Sequence, residues 1–168
     1  MADLVVRRGV PGEERAIATV HVGTWQTAYR GLVPDTYLDS LSVERRVATY
    51  NDDLLLDDVR PTWVAVRDDV VGFATAGPSR EEEGNGELYA IYVNKSEWGS
   101  GAAAGLMELV LDFMRPRFDE ATLWVLRDND RARRFYEKHG WFFDGTELAD
   151  DARGFVLNEA RYRIDLRK

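Results

Sequence analysis

Glu87-Leu88-Tyr89-Ala90-Ile91-Tyr92-Val93-Asn94-Lys95-Ser96-Glu97-Trp98-Gly99-Ser100-Gly101-Ala102-Ala103-Ala104 decides how the rest of the chain reads. Its first seven residues, with two tyrosines and the β-branched Ile91 and Val93, form the clearest strand in the sequence. A loop of small residues follows, and the apolar run from about Gly101 to Met114 reads as a helix. Small residues let the backbone approach a ligand closely. The first N–H groups of a helix have no internal partner and carry the positive end of its dipole. A strand, a glycine-flanked bend and a helix start therefore suit a phosphate or a diphosphate. A tight turn that needs glycine for its own geometry looks the same, so the motif alone leaves both readings open.

Outward from this stretch the chain alternates cleanly. Leu4-Val5-Val6-Arg7 reads as a strand, ended by Pro11-Gly12. Ile17, Val20, His21, Thr24, Trp25 and Ala28 recur at helical spacing, Gly31 ends that helix, and Pro34 opens another carrying Tyr37, Leu38 and Leu41. Ser42 is the expected N-cap of a third helix through Val47 and Tyr50. Trp63–Val66, Asp68-Asp69 and Val70–Phe73 predict an antiparallel hairpin, and Ser79–Gly86 a solvated loop. Thr122–Leu126 is a strand, and Asn129 caps a helix from Asp130 to His139 that Gly140 stops. Trp141–Phe143 and Arg161–Leu166 are the last strands. The order predicts an α+β fold: a mixed, mainly antiparallel central sheet of about six or seven strands flanked by helices.

The chain has 168 residues, enough for one domain, 1–168, that buries its own core. Its 22 basic and 30 acidic residues give a net charge of −8. That disfavours nucleic acid as a partner and favours cations such as amines. With no cysteine, thiol catalysis, disulfides and a Cys-based metal site are excluded; two histidines argue against a His-rich one, and no metal is expected. The acidic doublets show no ligand spacing. Neither a signal peptide nor a membrane span is legible, so a cytoplasmic setting without membrane contact is expected. Gly99-Ser100-Gly101-Ala102-Ala103-Ala104 also fits the dinucleotide pattern G-x-G-x-x-A. The five residues Asn94–Trp98 between strand and glycines argue against that reading, while Asp128 as a ribose acid keeps it open.

Trp98, Gly101 and Ala103 stand at the first, fourth and sixth positions of a motif, Gln or Arg, two residues, Gly, one residue, Gly or Ala, and in this the chain resembles the GNAT superfamily of N-acetyltransferases. Trp98 replaces the usual Gln or Arg. A second match is similar to that family's Asn-then-Phe-Tyr-x-x-x-Gly-Phe segment: Asn129, then Phe135-Tyr136-Glu137-Lys138-His139-Gly140, with Trp141 where Phe is usual. The stretch Val20–Pro34 is similar to one bacterial subgroup that includes polyamine acetylating members.

The resemblance implies an acyl-CoA transferase fold, acetyl-CoA as co-substrate, and direct transfer to a primary amine in a ternary complex. It implies that backbone N–H groups of Gly99, Ser100, Gly101, Ala102 and Ala103 hold the diphosphate. Ile91, Tyr92 and Val93 would line the pantetheine arm, and Asn129 would contact the cofactor. Tyr136 is the expected proton donor to the thiolate. Glu87 is the expected acceptor of the amine proton, on one strand face with Tyr89, Ile91 and Val93, where burial would raise its pKa. Trp25 and Tyr29 are candidates for an aromatic wall around a cationic amine; His21 reads as packing. The expected acceptor is a small molecule, a polyamine among the candidates, with a homodimer as a candidate assembly. A non-catalytic CoA-binding sensor on the same fold is the alternative, and a nicotinamide-dependent enzyme a third.

Overall fold

In the computed structural model, which describes residues 2–167, seven strands form one sheet. In chain order the elements are β1 (Val5–Arg8), α1 (Glu14–Ala28), α2 (Asp35–Ser40), α3 (Val43–Ala48), β2 (Thr62–Arg67), β3 (Asp69–Pro78) and β4 (Gly86–Val93). There follow α4 (Ala102–Met114), β5 (Glu120–Leu126), α5 (Asp130–Lys138), β6 (Phe142–Asp150) and β7 (Leu157–Asp165). The sheet order is β1-β2-β3-β4-β5-β7-β6. Every neighbouring pair is antiparallel except β4 with β5, which is parallel.

Two layers of helix cover the sheet. On one face Leu106, Met107, Val110 and Met114 of α4 are fully buried against Ala65, Ala74, Leu88 and Leu123. Each such side chain contributes about 1.5–3 kcal/mol relative to leaving it in water. Tyr136 of α5 joins the same core. On the other face Ile17 and Val20 of α1 pack on Val64 and Phe73. The alternation of Val64 and Ala65 between the two cores is the period-two pattern of a strand buried on both sides. A third cluster, with Tyr29, Leu38, Leu126 and Leu157, ties α1 and α2 to the far half of the sheet.

β6 and β7 are longer than the sequence suggests, running to Asp150 and starting at Leu157. The reason is that β6 is an edge strand with little to bury: Phe142, Phe143 and Leu148 are exposed. Their alternation therefore carries no hydrophobic signal.

One irregularity shapes everything that follows. β4 and β5 pair at only two rungs, Gly86 with Ala121 and Glu87 with Thr122, and then separate. Just past the second rung β4 carries a bulge: Thr75 pairs with Ala90 but Ala76 with Leu88, so Tyr89 is an extra residue. A bulge bends and over-twists its strand, which turns β4 away from β5. The sheet splits into a V, and the β4 backbone beyond Glu87 has no strand partner on the β5 side among the described residues.

Candidate active site

An open cavity of about 1510 Å³ follows this split. Both diverging strands line it, together with the start of α4, α5 on one sheet face, and α1 and α3 on the other. Seven Lys and Arg side chains border it against three Asp and Glu, in a chain whose net charge is −8. The cavity is thus locally basic where the molecule as a whole is acidic. Such a site suits an anionic ligand.

At the mouth of the V, Val93 leads through a short 3-10 turn, Lys95–Glu97, to α4. Gly99 and Gly101 have φ of 82° and 94°, a left-handed backbone that L side chains rarely adopt, and Gly101 is the N-cap of α4. A Cβ at either glycine would meet no protein atom within 4 Å, so conformation and the open cavity, not packing, call for glycine there. Among the described residues the amides of Gly99, Gly101, Ala103 and Ala104 have no hydrogen-bond acceptor in the protein. The Ser100 amide is taken by the Glu97 carbonyl at 3.1 Å, and the Ala102 amide by the Ser100 hydroxyl at 3.3 Å. Ser100 and Ala102 also do not line the cavity, Ala102 being core. The cradle is therefore Gly99, Gly101, Ala103 and Ala104, narrower at its centre and one residue longer than expected. Those free amides and the helix dipole fit a diphosphate.

Trp98, in place of Gln or Arg, turns its indole N–H back to the Val93 carbonyl at 3.3 Å. Its ring lies between two cations: the Arg131 guanidinium at 3.9 Å and the Lys95 ammonium at 5.8 Å from the centroid. The indole thus collects cationic side chains beside the cradle. Asn129 caps α5 as expected, its Oδ1 accepting from the Ala132 N–H at 3.2 Å, and it also lines the cavity.

Tyr136 lines the cavity on the α5 side and is 8% exposed. Burial, and then the neighbouring Tyr92, push its phenol pKa above the usual tyrosine range, so the hydroxyl holds its proton firmly. Ile91, Tyr92 and Val93 follow along the unpaired edge of β4. Trp25 and Tyr29 lie on the opposite side of the gap, their rings edge to face at 4.8 Å. Arg153, in the β6–β7 turn, stands 5.7 Å from the Trp25 ring and is paired to Asp150 at 3.0 Å.

Glu87 does not join this group. The bulge at Tyr89 reverses the alternation of β4, so Leu88 shares the core of Ile91 and Val93, and Glu87 takes the other face. Its carboxylate is 1% exposed and does not line the cavity. Arg80 saturates it, through the backbone N–H at 3.0 Å and the guanidinium at 2.6 and 3.2 Å. A bulge at a Tyr in an otherwise regular strand leaves no mark in the sequence, and neither does the Arg80 partner.

A carboxylate that sequence reasoning passed over is in place instead. Glu159 of β7 lines the cavity, paired across the sheet with Leu126. It shares the strand parity of Leu157, on the α1 side, while Ala160 and Tyr162 face α4 and α5. Burial, and then Asp150, raise its pKa above the usual carboxylate value, and among the described residues no hydrogen bond holds the charged form. Arg153 and Arg80 oppose the shift only as more distant charges. His21 also lines the cavity, with its pKa pushed down to about 3 by burial and the Arg46 charge.

Comparison with known proteins agrees with this geometry. Residues 25–141 match the signature of the acetyltransferase (GNAT) family. The chain is 33% identical over 131 residues to the uncharacterized N-acetyltransferase YuaI of Bacillus subtilis, spanning 75% of this chain and 73% of that one. It is 35% identical over 121 residues to an uncharacterized N-acetyltransferase of Archaeoglobus fulgidus, spanning 68% and 80%. Among solved structures it superposes on the PaiA N-acetyltransferase of Thermoplasma acidophilum in complex with coenzyme A, with a TM-score of 0.75 and 16% identity over 97% of this chain and 99% of that one. An N-acetyltransferase of Staphylococcus aureus Mu50 gives 0.74 and 20% over 99% and 100%. With a motif-bearing cradle, a split sheet and relatives at this level of identity, the chain belongs to the GNAT family and is an N-acetyltransferase.

Proposed function

We propose that the protein transfers an acetyl group from acetyl-CoA directly to a primary amine of a small molecule, with both substrates bound at once. The observation that carries this reading is the single cavity along the β4–β5 split, with free amides and Tyr136 on the α4–α5 face and Glu159, Trp25 and Tyr29 on the other. A donor and an acceptor entering from opposite faces meet without a covalent enzyme intermediate. The chain has no cysteine to form one. A cytoplasmic setting suits such an enzyme.

Bound acetyl-CoA supplies an activated acyl carbon and a thiolate leaving group. Gly99, Gly101, Ala103 and Ala104 donate their amides to the diphosphate, with Arg131 and Lys95 adding positive charge. The unpaired edge of β4 bonds the pantetheine arm, and an N–H near Ile91 or Tyr92 faces the thioester oxygen. Glu159 takes the proton that the attacking nitrogen loses as the N–C bond forms and the C–S bond breaks. Tyr136 gives its proton to the departing sulfur and recovers one from solvent.

The test is thiol release from acetyl-CoA with a panel of primary amines, beside equilibrium binding of CoA. Amine-dependent release with one acetylated product per thiol supports the proposal. Binding of CoA without turnover on any amine would leave a sensor in its place.

A further inference from the structure

Among the described residues six buried side-chain nitrogen or oxygen atoms have no hydrogen-bond partner, and four of the residues that carry them line this one cavity. They are His21 Nδ1, Thr24 Oγ1 and Trp25 Nε1 on α1, and Arg46 Nε on α3, the Trp25 indole being also in reach of the Tyr92 hydroxyl. Unpartnered buried polar atoms are rare because each costs free energy, and a cluster of them in a cavity wall marks groups waiting for a ligand. The indole and guanidinium nitrogens can only donate, the threonine hydroxyl can donate, and neutral His21 can carry its proton on Nδ1. An oxygen acceptor is the one kind of partner that all four can share.

Charge sharpens this. Arg46 forms no ion pair among the described residues; its guanidinium carbon stands 5.5 Å from the Tyr50 ring, and its charge is felt at His21 and Tyr92. Of the other cavity-lining arginines on this side, Arg153 pairs with Asp150 and Arg80 with Glu87, while Arg45, exposed on α3, donates to the Ser40 carbonyl and forms no ion pair among the described residues. A ligand carboxylate would satisfy the donors and pair with the Arg46 cation at once. His21 is a stacked neighbour of both Trp25 and Phe73, at 6.3 and 5.8 Å, which binds the cluster to one patch of the wall.

We propose that the acceptor is an amine that also carries a carboxylate, seated among Arg46, Trp25, Thr24 and His21, with its amine turned to Glu159 and the β4–β5 gap. α-Amino acids are the simplest members of this class. A polyamine would instead bring a second ammonium toward Arg46. The inference rests on the acetyl-transfer reading, so its test has one arm that needs turnover and one that does not.

The first arm compares matched pairs that differ by the carboxylate: phenylalanine with phenethylamine, and ornithine with putrescine. The expected kcat/KM favours the carboxylate member of a pair by about tenfold or more, one charge-assisted contact's worth. Arg46→Gln should bring that ratio to about one, and Arg46→Lys should keep part of it. The second arm measures binding of N-acetylphenylalanine and N-acetylphenethylamine to the CoA-loaded protein by calorimetry. The expected result is tighter binding of the carboxylate compound, lost in Arg46→Gln while its melting curve stays cooperative. Carboxylate-selective binding without turnover would preserve this site and remove the acetyl-transfer reading. Equal ratios, a preference for the decarboxylated member, or no selective binding in the second arm would overturn the inference.

Discussion

The two sides of the split sheet are built from different materials. On the α4–α5 side the ligand-facing groups are main-chain amides of Gly99, Gly101, Ala103 and Ala104 and one phenol, Tyr136. On the α1–α3 side they are side chains: Trp25, Tyr29, Arg46 and Glu159, drawn from α1 and its C-cap, α3 and β7. A backbone cradle needs only small residues and a helix start, so it can be held constant while the sequence around it drifts. A wall of side chains can be exchanged residue by residue, and in the proposed reaction that wall would select the amine. The comparison teaches that donor chemistry in this fold is written in conformation and acceptor chemistry in composition.

Tyr136→Phe separates the two sides most sharply. It should lower kcat by about a hundredfold, in the range for losing a positioned proton donor, while CoA affinity by calorimetry changes little. Wild-type turnover would move the proton to another group. Gly101→Val attacks the cradle itself, forcing a β-branched residue into φ of 94° at the helix N-cap. CoA affinity should fall by about tenfold, with the Michaelis constant for the amine little altered.

Glu159→Gln tests the opposite wall. As a base Glu159 must be ionised, and its pKa lies above the ordinary carboxylate value of about 4.3. Activity should therefore fall as pH drops through that raised value. The variant should lose this acidic limb and about tenfold in kcat. An unchanged limb would mean that another group takes the proton.

Glu87→Gln should leave that limb in place. It removes a buried charge from the Arg80 guanidinium and should lower stability by about 1.5–3 kcal/mol in a denaturant titration. The smallest effect is expected at Arg131→Ala: a loss of about threefold in CoA affinity, fading as salt is raised, because its guanidinium stands beside the cradle on Trp98.

The same contrast explains what the sequence made legible. The cradle, the α5 segment from Asn129 to Trp141 and the strand order could be read because each depends on local pattern: small residues before an apolar run, a cap residue, a period of two. Of the opposite wall, Trp25 and Tyr29 could be read from the helix stripe, but Arg46 and Glu159 could not. Arg46 and Glu159 are 113 positions apart and line one cavity only through the fold. Glu159 lies in β7, which begins at Leu157, ahead of the Arg161–Leu166 strand that the pattern predicts, and Arg161 and Arg163 beside it are held by Asp144 and Glu82. Glu87 failed as a base for a different reason. Its assignment to the face of Ile91 and Val93 assumed unbroken alternation, and one extra residue at Tyr89 inverts it. That same bulge accompanies the split of β4 from β5, so the feature that misleads the pattern is also the one that makes room for the substrates.

Backbone amide resonances followed during a CoA titration test the donor cradle directly. Gly99, Gly101, Ala103 and Ala104 should shift most and gain protection from hydrogen exchange, with Ser100 and Ala102 changing less. Saturating CoA that leaves those four amides unmoved and unprotected would place the diphosphate elsewhere and contradict the cradle.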